Sequence, residues 1–319
     1  MSSMKTWISI LLIVMILLGL AACSNAPAEA DTAANTTNLP EGKDMLSDPR
    51  VSYLGPEGTY TEEATKFFFH SASEYLPEAT VDDAITDVVE GRADYAVIPQ
   101  ENTLGGAVTN YVDALIGQNE IYVVGEVILP ISQTLMAIPG ATLSDIQTVY
   151  SHAQGIKQSE TWRAEHLPDA AVEETDSTAA AASYVAEQQD NTLAAVAAPA
   201  AAELYGLTVL AENVQITDAN KTRFYVLAKA PLVLDGQKQA VFVADCEANR
   251  LDDLIVEIHD SGLELVTIHD RPEGSALGSY HYIIEVMNPD GITAEQLSRV
   301  CALEGIRFFG CFDPVEKTA

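Results

Sequence analysis

From Arg50 onward, short apolar runs alternate with segments whose apolar residues recur at helical spacing. VSYLG (51–55), DYAVIP (94–99), IYVVGEVILP (121–130), TVYS (148–151), LAAVAA (193–198), LTVLAE (207–212) and FYVLAK (224–229) predict strands. Between them, 62–69, 82–91, 155–167 and 177–188 predict helices; Ala84, Ile85, Val88 and Val89 form one inward stripe. Strand–helix alternation of this kind predicts a layered α/β architecture of two subdomains with a cleft between them. A second pattern starts after Gln237. A strand at 240–245 precedes a helix marked by Leu251, Leu254, Ile255 and Ile258. Strands at 263–270 and 279–287, a helix at 293–305 and a strand at 306–312 follow. That βαββαβ order predicts a small C-terminal ferredoxin-like domain over about residues 238–315.

The residues ahead of these patterns read differently. Lys5 is followed by an apolar run from Trp7 to Leu20, too short to cross a bilayer comfortably, ending in LGLAACSN. This resembles a bacterial lipoprotein signal. Cleavage after Ala22 would leave residues 1–22 as the signal peptide and a lipid anchor on Cys23, placing the protein outside the cytoplasmic membrane. Residues 23–49, rich in Ala, Thr, Asn and Pro, predict a flexible tether.

Charge narrows the partners. Over 319 residues, 47 acidic groups oppose 16 basic ones, a formal charge of −31. Such a surface repels phosphate backbones and argues against nucleic-acid binding, so an anionic ligand needs locally arranged donors. Cys246, Cys301 and Cys311 remain after Cys23; an odd count leaves at least one thiol unpaired within a monomer. Neither the cysteines nor the six histidines fall at metal-ligand spacings.

Candidate chemistry gathers at strand-to-helix turns. Thr59-Tyr60-Thr61-Glu62 and Ser151-His152-Ala153-Gln154 carry capping patterns, and Asp176-Ser177-Thr178 precedes an Ala-rich helix. Capping accounts for each one alone. Together they would lie at the carboxyl ends of sheet strands, where helix N-termini offer N–H groups to an anion. Ile98 to Gly106, IPQENTLGG, is either a turn or a polar binding loop. NKTRFYVL (220–227) opens an apolar strand with a hydroxyl and a guanidinium, which reads as a solvated strand end unless it faces a ligand.

Six stretches in order, YLGPEGTYTEEA, DYAVIPQENTLGGAV, SHAQGIKQSETWRAEHLP, DSTAAAASYVAEQ, AAVAAPAAAELYGLTVLAENVQI and NKTRFYVL, resemble the prephenate dehydratase family over about residues 50–315. The resemblance implies a catalytic unit at 50–230 similar to periplasmic-binding-protein folds, with its active site in the cleft, and an ACT-like regulatory domain at 238–315. It implies decarboxylative dehydration of prephenate to phenylpyruvate, on the way to phenylalanine, without metal or organic cofactor. The family's Thr-Arg-Phe motif falls on Thr222, Arg223 and Phe224. Thr222 is then the hydroxyl that assists departure of hydroxide, Arg223 a partner for substrate carboxylate, and His152 and Glu101 candidate proton-exchanging neighbours. By the same resemblance Thr59, Thr61, Asn102, Thr103, Gly106, Ser151, Gln154, Ser177, Thr178, Ala179 and Phe224 are expected to contact substrate.

The ACT-like unit departs from its family. Glu247-Ala248-Asn249-Arg250-Leu251 lacks the glycine of the Gly-Ala-Leu segment. His269-Asp270-Arg271-Pro272 keeps only the last half of Glu-Ser-Arg-Pro. A homodimer through this domain is the expectation, with response to an amino-acid effector, phenylalanine, lost or altered. Two other readings compete. A lipobox, tether and bilobed fold also describe a solute-binding lipoprotein for a small anion; Thr-Arg-Phe and the appended domain weigh against it. A sensor using the catalytic unit only as scaffold is the other.

Overall fold

The computed structural model describes residues 39–107, 109–274 and 277–318. Cys23 and the signal-like run lie outside them. The first lobe holds β1 (Arg50–Leu54), α1 (Tyr60–Phe68), β2 (Glu74–Glu78), α2 (Val81–Glu90), β3 (Tyr95–Asn102), β4 (Gly106–Ala107), α3 (Thr109–Ile116) and β5 (Tyr122–Pro130). The second holds β6 (Thr134–Ala137), β7 (Thr148–Ser151), α4 (Ala153–Gln158), α5 (Glu160–His166), β8 (Ala171–Glu174), α6 (Thr178–Gln188), β9 (Leu193–Ala197), α7 (Pro199–Leu204) and β10 (Thr208–Ala211). β11 (Lys221–Ala228) then returns to the first lobe, antiparallel between β3 and β5. The second lobe's sheet runs β10-β6-β9-β7-β8. The chain therefore crosses between lobes twice, after β5 and after β10, and the two sheets face each other across a cleft.

The helices form where capping and burial agree. In α2, Thr80 caps the Asp83 N–H (3.1 Å) and Gly91 closes the helix at φ 76°, while Val81, Ala84, Ile85 and Val88 enter the core. The single helix expected over 155–167 is two, α4 and α5. They are separated at Ser159 (ψ 5°), whose hydroxyl donates to Gly155 O at 2.8 Å.

The C-terminal unit is β12 (Gln239–Glu247), α8 (Leu251–Asp260), β13 (Glu264–Pro272), β14 (Ser279–Met287), α9 (Ala294–Cys301) and β15 (Ile306–Phe312). Its strand order, β13-β14-β12-β15, is the ferredoxin-like one. The unit is continuous with the first lobe. β15 bridges to β5 through Gly310 and Val123, and β16 (Pro314–Glu316) runs parallel to β5, giving an 11-stranded sheet. The bridge requires glycine: at φ 138° a Cβ on Gly310 would lie 2.0 Å from Val123 O.

Core residues alternate along the strands. Phe224 and Val226 of β11 pack with Val51, Tyr53 and Val97 against α1; Tyr225 and Leu227 face α2, α3 and the C-terminal unit. Residues 39–49, expected as a flexible tether, instead pack on this body. Lys43 N–H donates to Pro231 O (2.8 Å), Leu46 N–H to the Tyr95 hydroxyl (2.9 Å), and the half-buried Met45 packs against the core. All three described cysteines are free thiols; burial pushes Cys301 up to about 11 and Cys311 up to about 12.

Candidate active site

Period-two alternation decides what Thr222, Arg223 and Phe224 can do. Thr222 and Phe224 share the face of β11 that looks into the cleft, so Arg223 must take the other face. A cavity of about 250 Å³ lies there, lined by Thr222 and Phe224, by Leu54, Pro99, Asn102 and Ile131, and by the starts of α1, α4 and α6. A second space of about 610 Å³ shares Asn102, His152, Gln154 and Gln158 with it and adds Gly105, Gly106 and Lys157 at the mouth.

Asn102 is the hub. Its Nδ2 donates to the Thr222 hydroxyl oxygen at 2.9 Å and to Asn220 Oδ1 at 2.9 Å. Its Oδ1 accepts from Gln154 Nε2 at 2.8 Å across the cleft, and from the Leu104 and Gly105 N–H groups at 3.0 Å each. Because Thr222 Oγ1 accepts from Asn102, its own proton is free to be donated elsewhere.

Three helix starts edge the cavity. Thr59 caps α1 by accepting the Glu62 N–H (3.3 Å), Ser177 caps α6 by accepting the Ala180 N–H (3.0 Å), and His152 Nδ1 accepts the Gln154 N–H at 3.2 Å. A cap satisfies one N–H and leaves others of the first turn unpaired. Among the described lining residues there is no lysine or arginine; Asp176 is the one carboxylate. Gln133 Nε2 donates to Gln158 Oε1 (2.9 Å), and Gln133 Oε1 is buried without a partner among the described residues. No group of three His, Cys, Asp or Glu side chains among the described residues is arranged to hold a metal ion.

Residues 51–232 match the family model described as prephenate dehydratase. The chain belongs to the prephenate dehydratase family. It is similar to the prephenate dehydratase of Amycolatopsis methanolica, 35% identical over 283 residues, covering 85% of this chain and 90% of that one. It is 33% identical over 239 residues to the bifunctional chorismate mutase/prephenate dehydratase of Aquifex aeolicus, and spans about two thirds (65%) of that relative's length. The solved prephenate dehydratase of Arthrobacter aurescens, in complex with L-Phe, is 29% identical with a TM-score of 0.72, covering 83% of this chain and 90% of that one.

Of the residues expected at the prephenate dehydratase site, Thr222, Phe224, His152, Thr59, Thr61, Asn102, Gln154, Ser177 and Thr178 line the cavity, and Gly106 lies at its mouth. The others lie elsewhere. Thr103 exchanges hydrogen bonds with the Lys221 backbone (2.9 and 3.1 Å), closing the turn. Ser151 is fully buried and donates to Val196 O at 2.6 Å; a Cβ on Gly155 would sit 2.3 Å from its oxygen. Ala179 is buried in the α6 core.

Arg223 and Glu101, expected to meet substrate, face the opposite way. Arg223 Nη1 donates to Glu101 at 3.2 Å and Nε to Glu126 at 2.9 Å, while Nη2 contacts Glu126 and Glu285. Alternation accounts for both Arg223 and Glu101, since they pair with each other, and a bulge adds Gln100 to that side. Thr222 pairs with Asn102 and Arg223 with Glu101, but Phe224 pairs with Pro99. Gln100 is the extra residue, so Gln100 and Glu101 both turn from the cavity and Asn102 regains it. Burial alone would lower the Arg223 pKa, but the charges of Glu285 and Glu126 more than offset it, so the guanidinium stays charged. Burial pushes Glu126 up to about 7, the Arg223 charge opposing the rise and Glu285 adding to it.

His269 stacks edge-on against Tyr111 of α3 (centroids 6.0 Å apart), and Arg271 pairs with Asp113 at 2.5 and 2.9 Å. Asp270 and Pro272 sit in the β13–β14 ladder opposite Tyr282 and Tyr280. Sequence reasoning missed Gln133, Gln158 and Lys157. Gln158 was findable, since it follows Gln154 by one helical turn and so shares its face.

Proposed function

We propose that this chain is a prephenate dehydratase whose cleft expels carbon dioxide and hydroxide from prephenate to give phenylpyruvate. The observation carrying this is the Thr222 hydroxyl, 9% exposed, facing the cavity and accepting from Asn102. Loss of the ring carboxylate as carbon dioxide sends its electron pair through the ring to expel the hydroxyl para to it. One proton joins that leaving oxygen to make water. Thr222, oriented by Asn102, supplies the hydrogen bond as the C–O bond breaks; its high intrinsic pKa makes it a stabiliser of departing charge rather than a strong acid. His152 at the rim is the group best placed to deliver the net proton. Leu54, Pro99, Ile131 and Phe224 give the decarboxylating group apolar surroundings, while the α1 and α6 starts and the Gln133–Gln158 amides offer donors to the remaining carboxylate.

The test is phenylpyruvate formation by the purified protein and by Thr222→Val, which keeps shape and removes the hydroxyl. A loss in kcat of about 10²–10⁴-fold is expected, with Thr222→Ser largely retaining turnover. A folded Val variant working at the parent rate overturns the assignment, and prephenate binding without turnover by the parent favours the solute receptor. The C-terminal unit is read as an ACT-like domain whose phenylalanine response is lost or altered. Glu247–Leu251 lacks the glycine of the family's segment, and the Arg250 guanidinium there is tied to Glu257 at 2.6 Å beside the start of α8. The apolar run ending at Cys23 supports export and lipid anchoring; Cys23→Ala should release the protein from membrane fractions, and unchanged partitioning would refute it.

A further inference from the structure

β14 of the C-terminal unit presents Ile283 and Glu285 toward the first lobe, beside the buried apolar residues Val241, Val243, Phe309 and Phe312 and with His269 and Arg271 of β13 on the same side. Glu285 is fully buried there. A carboxylate in such a place is costly unless paired and hydrogen-bonded, and a well-packed apolar side chain would serve stability as well or better. Its partners explain it. One oxygen contacts Arg223; the other accepts from the Tyr225 hydroxyl and from Gln100 Nε2. These partners belong to the two strands that carry Thr222 and Asn102, and Gln100 is the bulged residue that sets their register.

We propose that Glu285 is a positioning residue for the dehydration: from the C-terminal unit it clamps the back of β11 and β3, and thereby holds Thr222 and Asn102 at the geometry the leaving hydroxyl needs. Arg223 is the strut, its fork shared among Glu101 on β3, Glu126 on β5 and Glu285 on β14. Thr222 precedes it directly, so a shift of the guanidinium moves the strand that bears the hydroxyl. The C-terminal unit is then part of the catalytic apparatus by mechanical linkage, and a displacement of β14 reaches the strands behind the cleft through Glu285. The inference rests on the dehydratase reading.

Since Thr222 acts as the C–O bond breaks, misplacing it should lower kcat with little effect on KM. Steady-state kinetics on prephenate compare the parent with Glu285→Gln, which keeps shape and removes charge, and with Tyr225→Phe, which removes one donor to Glu285 without opening a cavity. Gel filtration and near-ultraviolet circular dichroism select folded protein. We expect kcat to fall about 10–100-fold for Glu285→Gln and about 3-fold for Tyr225→Phe, with KM within about 2-fold. Asp113→Asn loosens the same interface at an exposed pair and should leave kcat within about 2-fold. In an Arg223→Gln background, Glu285→Gln should cost less than it does in the parent, because part of its grip runs through Arg223. An active parent with parent-like kcat in Glu285→Gln and Tyr225→Phe overturns the proposal alone. So does an equal loss in Asp113→Asn, which would mean that general loosening is responsible. A parent inactive on prephenate overturns the dehydratase reading and the proposal with it.

Discussion

The Glu126 carboxyl converts burial into a measurable pH dependence of stability. It is 1% exposed, and burial holds its pKa at about 7 against an ordinary 4.5, despite the Arg223 guanidinium beside it. Glu285 and Glu101 also face that guanidinium and add to the rise. A carboxyl whose pKa is raised by folding binds its proton more tightly in the native state. Its contribution to stability is therefore fully present below pH 4.5 and is lost as pH rises through about 7. The interval from 4.5 to about 7, at about 1.4 kcal/mol per pH unit, amounts to about 3 kcal/mol. Glu126→Gln is neutral at every pH and lacks this dependence. Urea unfolding of parent and variant at half-unit steps from pH 4.5 to 8 isolates this cluster, since titrating groups away from it cancel in the difference. The parent should lose ground against Gln by about 3 kcal/mol across that span, mostly between pH 5 and 7, and nothing more above pH 8. A parent-minus-variant difference that is flat with pH, or that rises with it, would refute the reasoning. The first outcome would mean the carboxyl titrates alike in both states; the second, that Arg223 outweighs burial.

Two further outcomes follow from the geometry. Asn102→Asp is nearly isosteric but replaces the Nδ2 donor with an acceptor, so Thr222 would donate to the new carboxylate and lose its proton to the wrong partner. In that variant kcat should fall about 10²–10³-fold with near-ultraviolet dichroism unchanged, and a fall under 3-fold would show that the hydroxyl's orientation is unimportant. L-Phe at millimolar concentration should leave the melting temperature of the full chain nearly unmoved, given Arg250 at the start of α8; a rise of several degrees would show that the altered segment still binds it.

The elements legible in the sequence were those with internal periodicity. α2 announced itself by an apolar stripe between Thr80 and Gly91, and the C-terminal unit by its βαββαβ order. The strands that escaped reading were short or lay at sheet edges. β2 contains Pro77, β8 is exposed at every residue, and β6 is four buried residues without alternation. Ser159 splits the 155–167 helix because its hydroxyl turns back onto Gly155 O, a local competition that apolar spacing does not reveal. Thr222 and the caps of α1 and α6 were legible because motif and turn chemistry agree there. The opposite orientation of Arg223 was implicit in strand alternation, whereas the bulge at Gln100 depends on which strand pairs with β11. Glu285, 62 residues from Arg223, was out of reach for the same reason: cross-sheet partners are fixed by topology, not by local pattern.

The charge of the whole molecule and that of the cleft point in opposite directions, and distance decides between them. A surface of −31 opposes a dianion at long range, but at physiological ionic strength its field decays over about 8 Å. Within the cavity the governing groups are the lining itself: the starts of α1 and α6, the Gln154, Gln133 and Gln158 amides, and Lys157 at the mouth. Each helix start contributes about 0.3–1 kcal/mol when exposed and up to about 2 when partly buried. Asp176 subtracts from that locally. Turning Arg223 away leaves the inner cavity with dipoles in place of a guanidinium, and its nearest cation, Lys157, at the mouth. Dipoles hold a carboxylate firmly enough to bind it, without pinning as an ion pair the one that must leave as neutral carbon dioxide. The guanidinium's absence from the cavity thus suits a reaction that discards a carboxylate, while its presence behind the strand gives the C-terminal unit a rigid grip on the residue that completes the step.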